Sequence, residues 1–361
     1  MIRYALSLVL VLSPVAALSE TPTRAPAPTR SDAQVRAPFQ SPSGARMLAL
    51  VESQGRDEPS QSGVGSAAQG CGASTAAWNV PTALILSGGG AKGAYEAGVA
   101  AALVEAQVPI ALAAGSSAGA LNAAMVAAGR VDRLESMWRS IDRDKVYAFR
   151  APVFFAGFLP GWLTLLALDR TGSLLDAGPL RDLIAATVEL DRIRASPIRL
   201  LVTTTDLERR DKRLFDNRDV TVEALLGAAA MPGVFPAVDV DGALLVDGGL
   251  TGRAPVLEAL DAGVPVGRAV VVMSYAPEER GRRPTTIRAA IEEAFEMGMI
   301  HQIRRDTELA RLKHAMVDVQ LLRPTAPLFL RPLDFDREGI ARAIDLGRAD
   351  ALQCLRALRG R

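Results

Sequence analysis

From Thr82 onward, short apolar runs free of charge alternate with stretches of helix-forming composition, and this alternation limits the fold more than any other feature. Ala83-Leu84-Ile85-Leu86 stops abruptly at Ser87-Gly88-Gly89-Gly90, as a buried strand does when it ends in a tight loop. Residues 94–108 follow with Val99, Leu103 and Val104 at helical spacing. A second apolar strand, 110–113, runs into Gly115, and helices are predicted over 118–128 and 131–140. Beyond them the pattern predicts helices at 180–190, 222–230 and 256–261, with strands at 198–204, 243–246 and 269–273. An amphipathic helix over 337–358 closes the chain. Strands that are apolar on both sides must be covered on both sides. The pattern therefore predicts an α/β domain over residues 82–361, a three-layer α/β/α body around a mainly parallel central sheet.

The remaining segments set the context of that domain. Of 361 residues, 41 are basic and 40 acidic, a formal charge of +1 that offers no electrostatic case for nucleic acid. Arg3, the apolar run from Ala5 to Leu12, Pro14 and the small residues after it have the layout of a signal peptide over 1–19, with cleavage after Ala17 or Ser19. A membrane anchor is the alternative, but the run falls short of the roughly 20 residues a bilayer span needs. Export is expected, to a periplasmic, secreted or membrane-associated destination. Residues 20–81, rich in Pro, Ser and Gly, read as a disordered linker. Residues 151–168 carry no charge and are broken by Pro152, Gly157, Pro160 and Gly161, so they suit a hydrophobic lid or an irregular core segment rather than a spanning helix. Cys71 and Cys354 form a single clasp in an exported chain or stand as two free thiols. His301 and His314 lie in no ligand pattern, so neither a metal nor a cofactor is expected.

The chemistry lies in three motifs. Gly88-Gly89-Gly90-Ala91-Lys92-Gly93 satisfies the spacing of a dinucleotide-binding loop, yet the second strand ends in Gly115-Ser116-Ser117 without the acid that would hold a ribose. A phosphate loop is excluded as well, because Lys92 is followed by Gly93 rather than Ser or Thr. Gly115-Ser116-Ser117-Ala118-Gly119 is instead a strand-to-helix elbow that exposes a nucleophile, Ser117, at a helix N-terminus. The N–H groups of Gly88, Gly89 and Gly90 are suited to an oxyanion hole beside it. Lys92 adds positive potential for an anionic head group, or is a solvated first-turn lysine. Ser117 needs a base, and Asp247, followed by Gly248 and Gly249 at the end of an apolar strand, is the candidate. Asp241-Gly242 is explained as a two-residue hairpin turn. A histidine base would meet the chain order serine, acid, histidine, but both histidines fall in highly charged stretches that read as an exposed helix face.

Together these motifs resemble the patatin-like phospholipase family: the glycine loop at Gly88 to Gly93, the elbow at Gly115 to Gly119, and Asp247-Gly248-Gly249. Ala228 to Pro236 also resembles the family's stretch before its aspartate. The resemblance is close over 82–260 and looser towards the C-terminus. Two positions depart from it: Lys92, where arginine is more usual, and Gly249, where alanine is also found. The resemblance implies a Ser117–Asp247 dyad without histidine and a membrane lipid ester as substrate, a phospholipid or lysophospholipid, with no protein partner indicated. Small soluble esters, neutral glycerides and non-catalytic lipid binding are the rival readings.

Overall fold

The computed structural model describes residues 78–150, 172–276 and 283–359. The expected signal peptide over 1–19, residues 20–77 of the expected linker, Cys71 and the apolar segment 151–168 lie outside the described residues. β1 (Thr82–Leu86) leads through a 3-10 turn into α1 (Gly93–Glu105), β2 (Ile110–Ser116), α2 (Ala118–Ala127), α3 (Val131–Ser140) and the short α4 (Arg143–Val146). The two-residue strands β3 (Ala148–Phe149) and β4 (Leu175–Asp176) pair with each other in a small separate sheet. The chain continues through α5 (Gly178–Thr187), α6 (Leu190–Arg194), β5 (Arg199–Asp206), β6 (Asp211–Asp216), α7 (Val222–Ala228), β7 (Val238–Val240) and β8 (Ala243–Asp247). It ends with α8 (Val256–Asp261), β9 (Arg268–Val272), α9 (Ile287–Lys313), β10 (Asp318–Leu322) and α10 (Arg337–Arg359).

Five strands form a parallel core in the order β10-β9-β1-β2-β5, and β6, β7 and β8 extend it in antiparallel fashion. Side chains alternate across each strand, so Leu84 and Leu86 of β1 join one buried cluster with α1, α2, α3 and α10. Ala83 and Ile85 point the other way, into a second cluster with α8 and α9. The sheet is thus covered on both faces, as the runs of uninterrupted apolar residues require. This is a three-layer α/β/α fold with a mainly parallel sheet. Asp241 and Gly242, with φ of 53° and 77°, make the expected tight turn between β7 and β8. Among the described residues no helix is long and apolar enough to cross a membrane.

Candidate active site

β5 carries the geometry of the site. β2 runs parallel along one of its edges as far as Ser116, opposite Thr203. β6 occupies the other edge from Leu201 to Asp206, so β8 must share the edge used by β2, and it ends at Asp247 opposite Thr204. The C-terminal ends of β2 and β8 therefore meet head-on at adjacent residues of β5. Ser117 leaves one end and Asp247 closes the other. The C-terminal end of α7 sets their separation: Ala228, its last residue, accepts the Ser117 N–H at 3.0 Å, and Ala230, two residues on, accepts the Asp247 N–H at 2.9 Å.

Ser117 has φ 54° and ψ −136° and stands at the N-terminus of α2 without capping it through its side chain. A residue with a side chain holds such a backbone only where its surroundings over-determine it, and such strain gathers at functional sites. The flanking glycines provide the room for it. A methyl on Gly115 would lie 2.3 Å from the Gly119 carbonyl oxygen, and one on Gly119 2.4 Å from that of Leu86. Gly88, with φ 74°, lets the loop after β1 pass so close that a Cβ there would meet Ser116 O at 2.5 Å and Ser117 Cβ at 3.0 Å. Gly93 packs under Ala118 and Trp138, and Gly248 comes within 2.1 Å of the Thr203 carbonyl oxygen by the same measure.

Asp247 is 3% exposed. Its Oδ1 accepts the Gly249 N–H at 2.7 Å. Oδ2 is buried and no hydrogen bond of ordinary geometry reaches it, although the Ser117 hydroxyl is near enough to favour the charged carboxylate. Burial pushes the carboxyl above the usual range; the Arg253 charge, the Gly249 N–H and the Ser117 hydroxyl pull it back part of the way.

Of the three glycines expected to hold an oxyanion, Gly88 has its N–H committed to Glu96 at 2.7 Å. Among the described residues no acceptor takes the N–H of Gly89 or Gly90. Lys92 is not a solvated lysine: its side chain is 2% exposed, 2.8 Å from Glu296 and 4.4 Å over the Tyr275 ring. His301 is exposed on α9, and His314 caps that helix 3.2 Å from Asp261. Among the described residues, no contact joins either histidine to Ser117 or Asp247, and no group of three or more His, Cys, Asp or Glu is placed to hold a metal ion.

Two further residues reach the site unannounced by any motif. Glu96 is fully buried and accepts from Ser87 Oγ and Ser274 Oγ at 3.1 Å each, from the Gly88 N–H and, at 3.2 Å, from Asn122. An acid in the first turn of α1, which is otherwise apolar as far as its closing Glu105, was the available signal. Arg253 is buried 3.9 Å from Asp247 and, six residues beyond it in a loop, carried no signal in the sequence.

The family described as patatin-like phospholipase matches residues 84–260. Uncharacterized NTE family proteins of Mycobacterium tuberculosis and Mycobacterium bovis are 32% identical over 191 residues, which is 53% of this chain and 48% of theirs. The chain thus spans about half the length of these relatives. Among solved structures, VipD from Legionella pneumophila aligns at 16% identity with a TM-score of 0.41, covering 77% of this chain and 67% of that one. ExoU of Pseudomonas aeruginosa, solved in complex with SpcU, is also similar, at 19% identity with a TM-score of 0.29 over 67% of this chain and 53% of the other.

Proposed function

We propose that this chain, a member of the patatin-like phospholipase family through residues 84–260, is a lipid acyl hydrolase that works through a Ser117–Asp247 dyad. The observation that carries the reading is the convergence of β2 and β8 on one edge of β5, with both dyad N–H groups held by carbonyls two residues apart. It unites a strained nucleophile with a buried carboxylate whose Oδ2 has no other partner.

In this reading Ser117 Oγ attacks the carbonyl carbon of the ester while its proton passes to Asp247 Oδ2. The carbonyl oxygen takes up negative charge and is held by the N–H groups of Gly89 and Gly90, near the positive N-terminal end of α2. Collapse of the tetrahedral adduct breaks the ester C–O bond, and the leaving alcohol regains the proton from Asp247. Water, deprotonated by the same carboxylate, then attacks the acyl-enzyme and releases the fatty acid and free Ser117. Phospholipids or lysophospholipids are the substrate class, reached by export through residues 1–19.

The test compares the wild type with Ser117→Ala and Asp247→Asn on phospholipid vesicles, on a short-chain ester and with a fluorophosphonate probe. Vesicles should release fatty acid, the probe should label Ser117, and each variant should lose at least about a hundredfold in kcat. Turnover of short-chain ester alone would redirect the substrate to small soluble esters. Lipid binding without probe labelling would leave a non-catalytic protein. Full activity of Asp247→Asn would refute the dyad.

A further inference from the structure

Arg253 touches all three motifs of the site. Its Nη1 stands 3.9 Å from Asp247 Oδ1 and 2.7 Å from where a Cβ on Gly249 would lie, and Nη2 is 3.4 Å from the corresponding point on Gly89. Its backbone is clamped from two sides: Ser116, the neighbour of the nucleophile, donates its hydroxyl to the Arg253 carbonyl, and Gln302 on α9 accepts the Arg253 N–H at 3.2 Å. The side chain is 2% exposed, and its Nε has no partner.

A guanidinium held out of water is costly unless an acid neutralises it, and Asp247 is the acid within ion-pair reach. The separation matters. A closely bonded, two-pronged pair would occupy the carboxylate oxygens and weaken the base. At 3.9 Å the contact is charge on charge rather than a hydrogen bond, which leaves Oδ2 to Ser117. The other ionisable groups here are Tyr275, whose hydroxyl lies 3.6 Å from the Cβ point of Gly89, Lys92 over the Tyr275 ring, and Glu296. The charge of Lys92 is met by Glu296, whereas that of Arg253 faces the base and the glycine loop.

We propose that Arg253 is a positioning residue of the Ser117–Asp247 centre, a buried cation shared by the general base and the glycine loop that keeps the base ionised and adds positive potential where the ester oxygen gathers charge. The proposal rests on the hydrolase reading above and deepens it. Its test is kcat and KM on a short-chain ester from pH 4 to 9 for the wild type, Arg253→Lys and Arg253→Gln, with thermal midpoints for all three. Arg253→Gln should move the acid limb of kcat/KM upward by about 1–3 pH units and lower kcat at least about tenfold at pH 6, with little change in KM. Arg253→Lys should keep the limb near that of the wild type. A folded Arg253→Gln protein with an unmoved limb and unchanged kcat would overturn the proposal. If Arg253→Gln does not fold, the lysine variant decides: a limb that stays supports a role for the charge, and one displaced upward by a full unit or more refutes it. A wild type that neither turns over ester nor labels with fluorophosphonate would overturn the hydrolase reading and this proposal together, whereas an active wild type with an indifferent Arg253 overturns this proposal alone.

Discussion

Glu96 accepts from four donors inside the molecule, none of them charged, so its carboxyl is stabilised by dipoles alone. Burial outweighs them and pushes it from 4.5 up to about 7. Between those two values the folded protein keeps a proton that the unfolded chain has released. The resulting stability is complete below 4.5 and is lost as pH rises through about 7. Glu96→Gln, which cannot ionise, should therefore show a flatter stability profile in this window and gain on the wild type as pH rises. Urea unfolding of both proteins at pH 5 and pH 8 checks this; parallel losses would show that Glu96 does not titrate there. Glu96→Ala, by contrast, strands the Gly88 N–H and its companions. It should cost about 3 kcal/mol or more at either pH and loosen the glycine loop.

At the scale of elements, α1 and α10 approach so closely that their backbones touch. A Cβ on Gly98 would sit 2.0 Å from the Ile344 carbonyl oxygen, and one on Gly347 2.1 Å from that of Tyr95. Gly347→Ala must push these helices apart and should cost roughly 1–3 kcal/mol. The same change at Gly298, in α9 with nothing within 4 Å of its Cβ point, removes only backbone freedom and should stabilise by about 0.5–1 kcal/mol. Thermal midpoints moving in opposite directions would confirm the contrast; a matching pair of shifts would contradict the packing of α1 on α10. α1 was legible from its helical spacing and α10 from its amphipathic pattern, and the strands β1, β2, β5, β8 and β9 from runs without charge that must be buried. β6 was not: Asp211-Lys212-Arg213-Leu214-Phe215-Asp216 is a strand at the edge of the sheet, and its charges find water there. β10 was missed for a related reason, since Asp318-Val319-Gln320-Leu321-Leu322 has a neighbour on one side only. The positions of Ser117, directly after β2, and of Asp247, at the end of β8, were legible because glycines surround each. Arg253 and Glu96 are hydrogen-bonded to Ser116 and Ser274, more than a hundred residues away in the chain, and local pattern carries no trace of such pairs.

For the whole molecule, the open choice in the sequence between a clasp and two free thiols bears on how the last helix is retained. Cys354 is 1% exposed on the buried side of α10 and is disulfide-bonded. Cys71, the other of the two cysteines in the chain, lies outside the described residues. A bond between them would tie the segment before β1 to the final helix and close almost the whole domain into one loop. Cross-links that span long loops restrict the unfolded chain most, typically by 2–4 kcal/mol, and they persist in oxidising compartments, which is where export would deliver the protein. Denatured, unreduced protein should therefore show no reactive thiol, and two should appear after reduction. Reduction should also lower the thermal midpoint, and Cys354→Ser should lower it to the same extent. The proposed dyad sits on β2, β5 and β8, whereas Cys354 lies in α10, so on the proposed hydrolase reading the reduced protein, at a temperature where it stays folded, should keep its kcat. A midpoint indifferent to reductant would show that the α1–α10 packing alone retains the last helix.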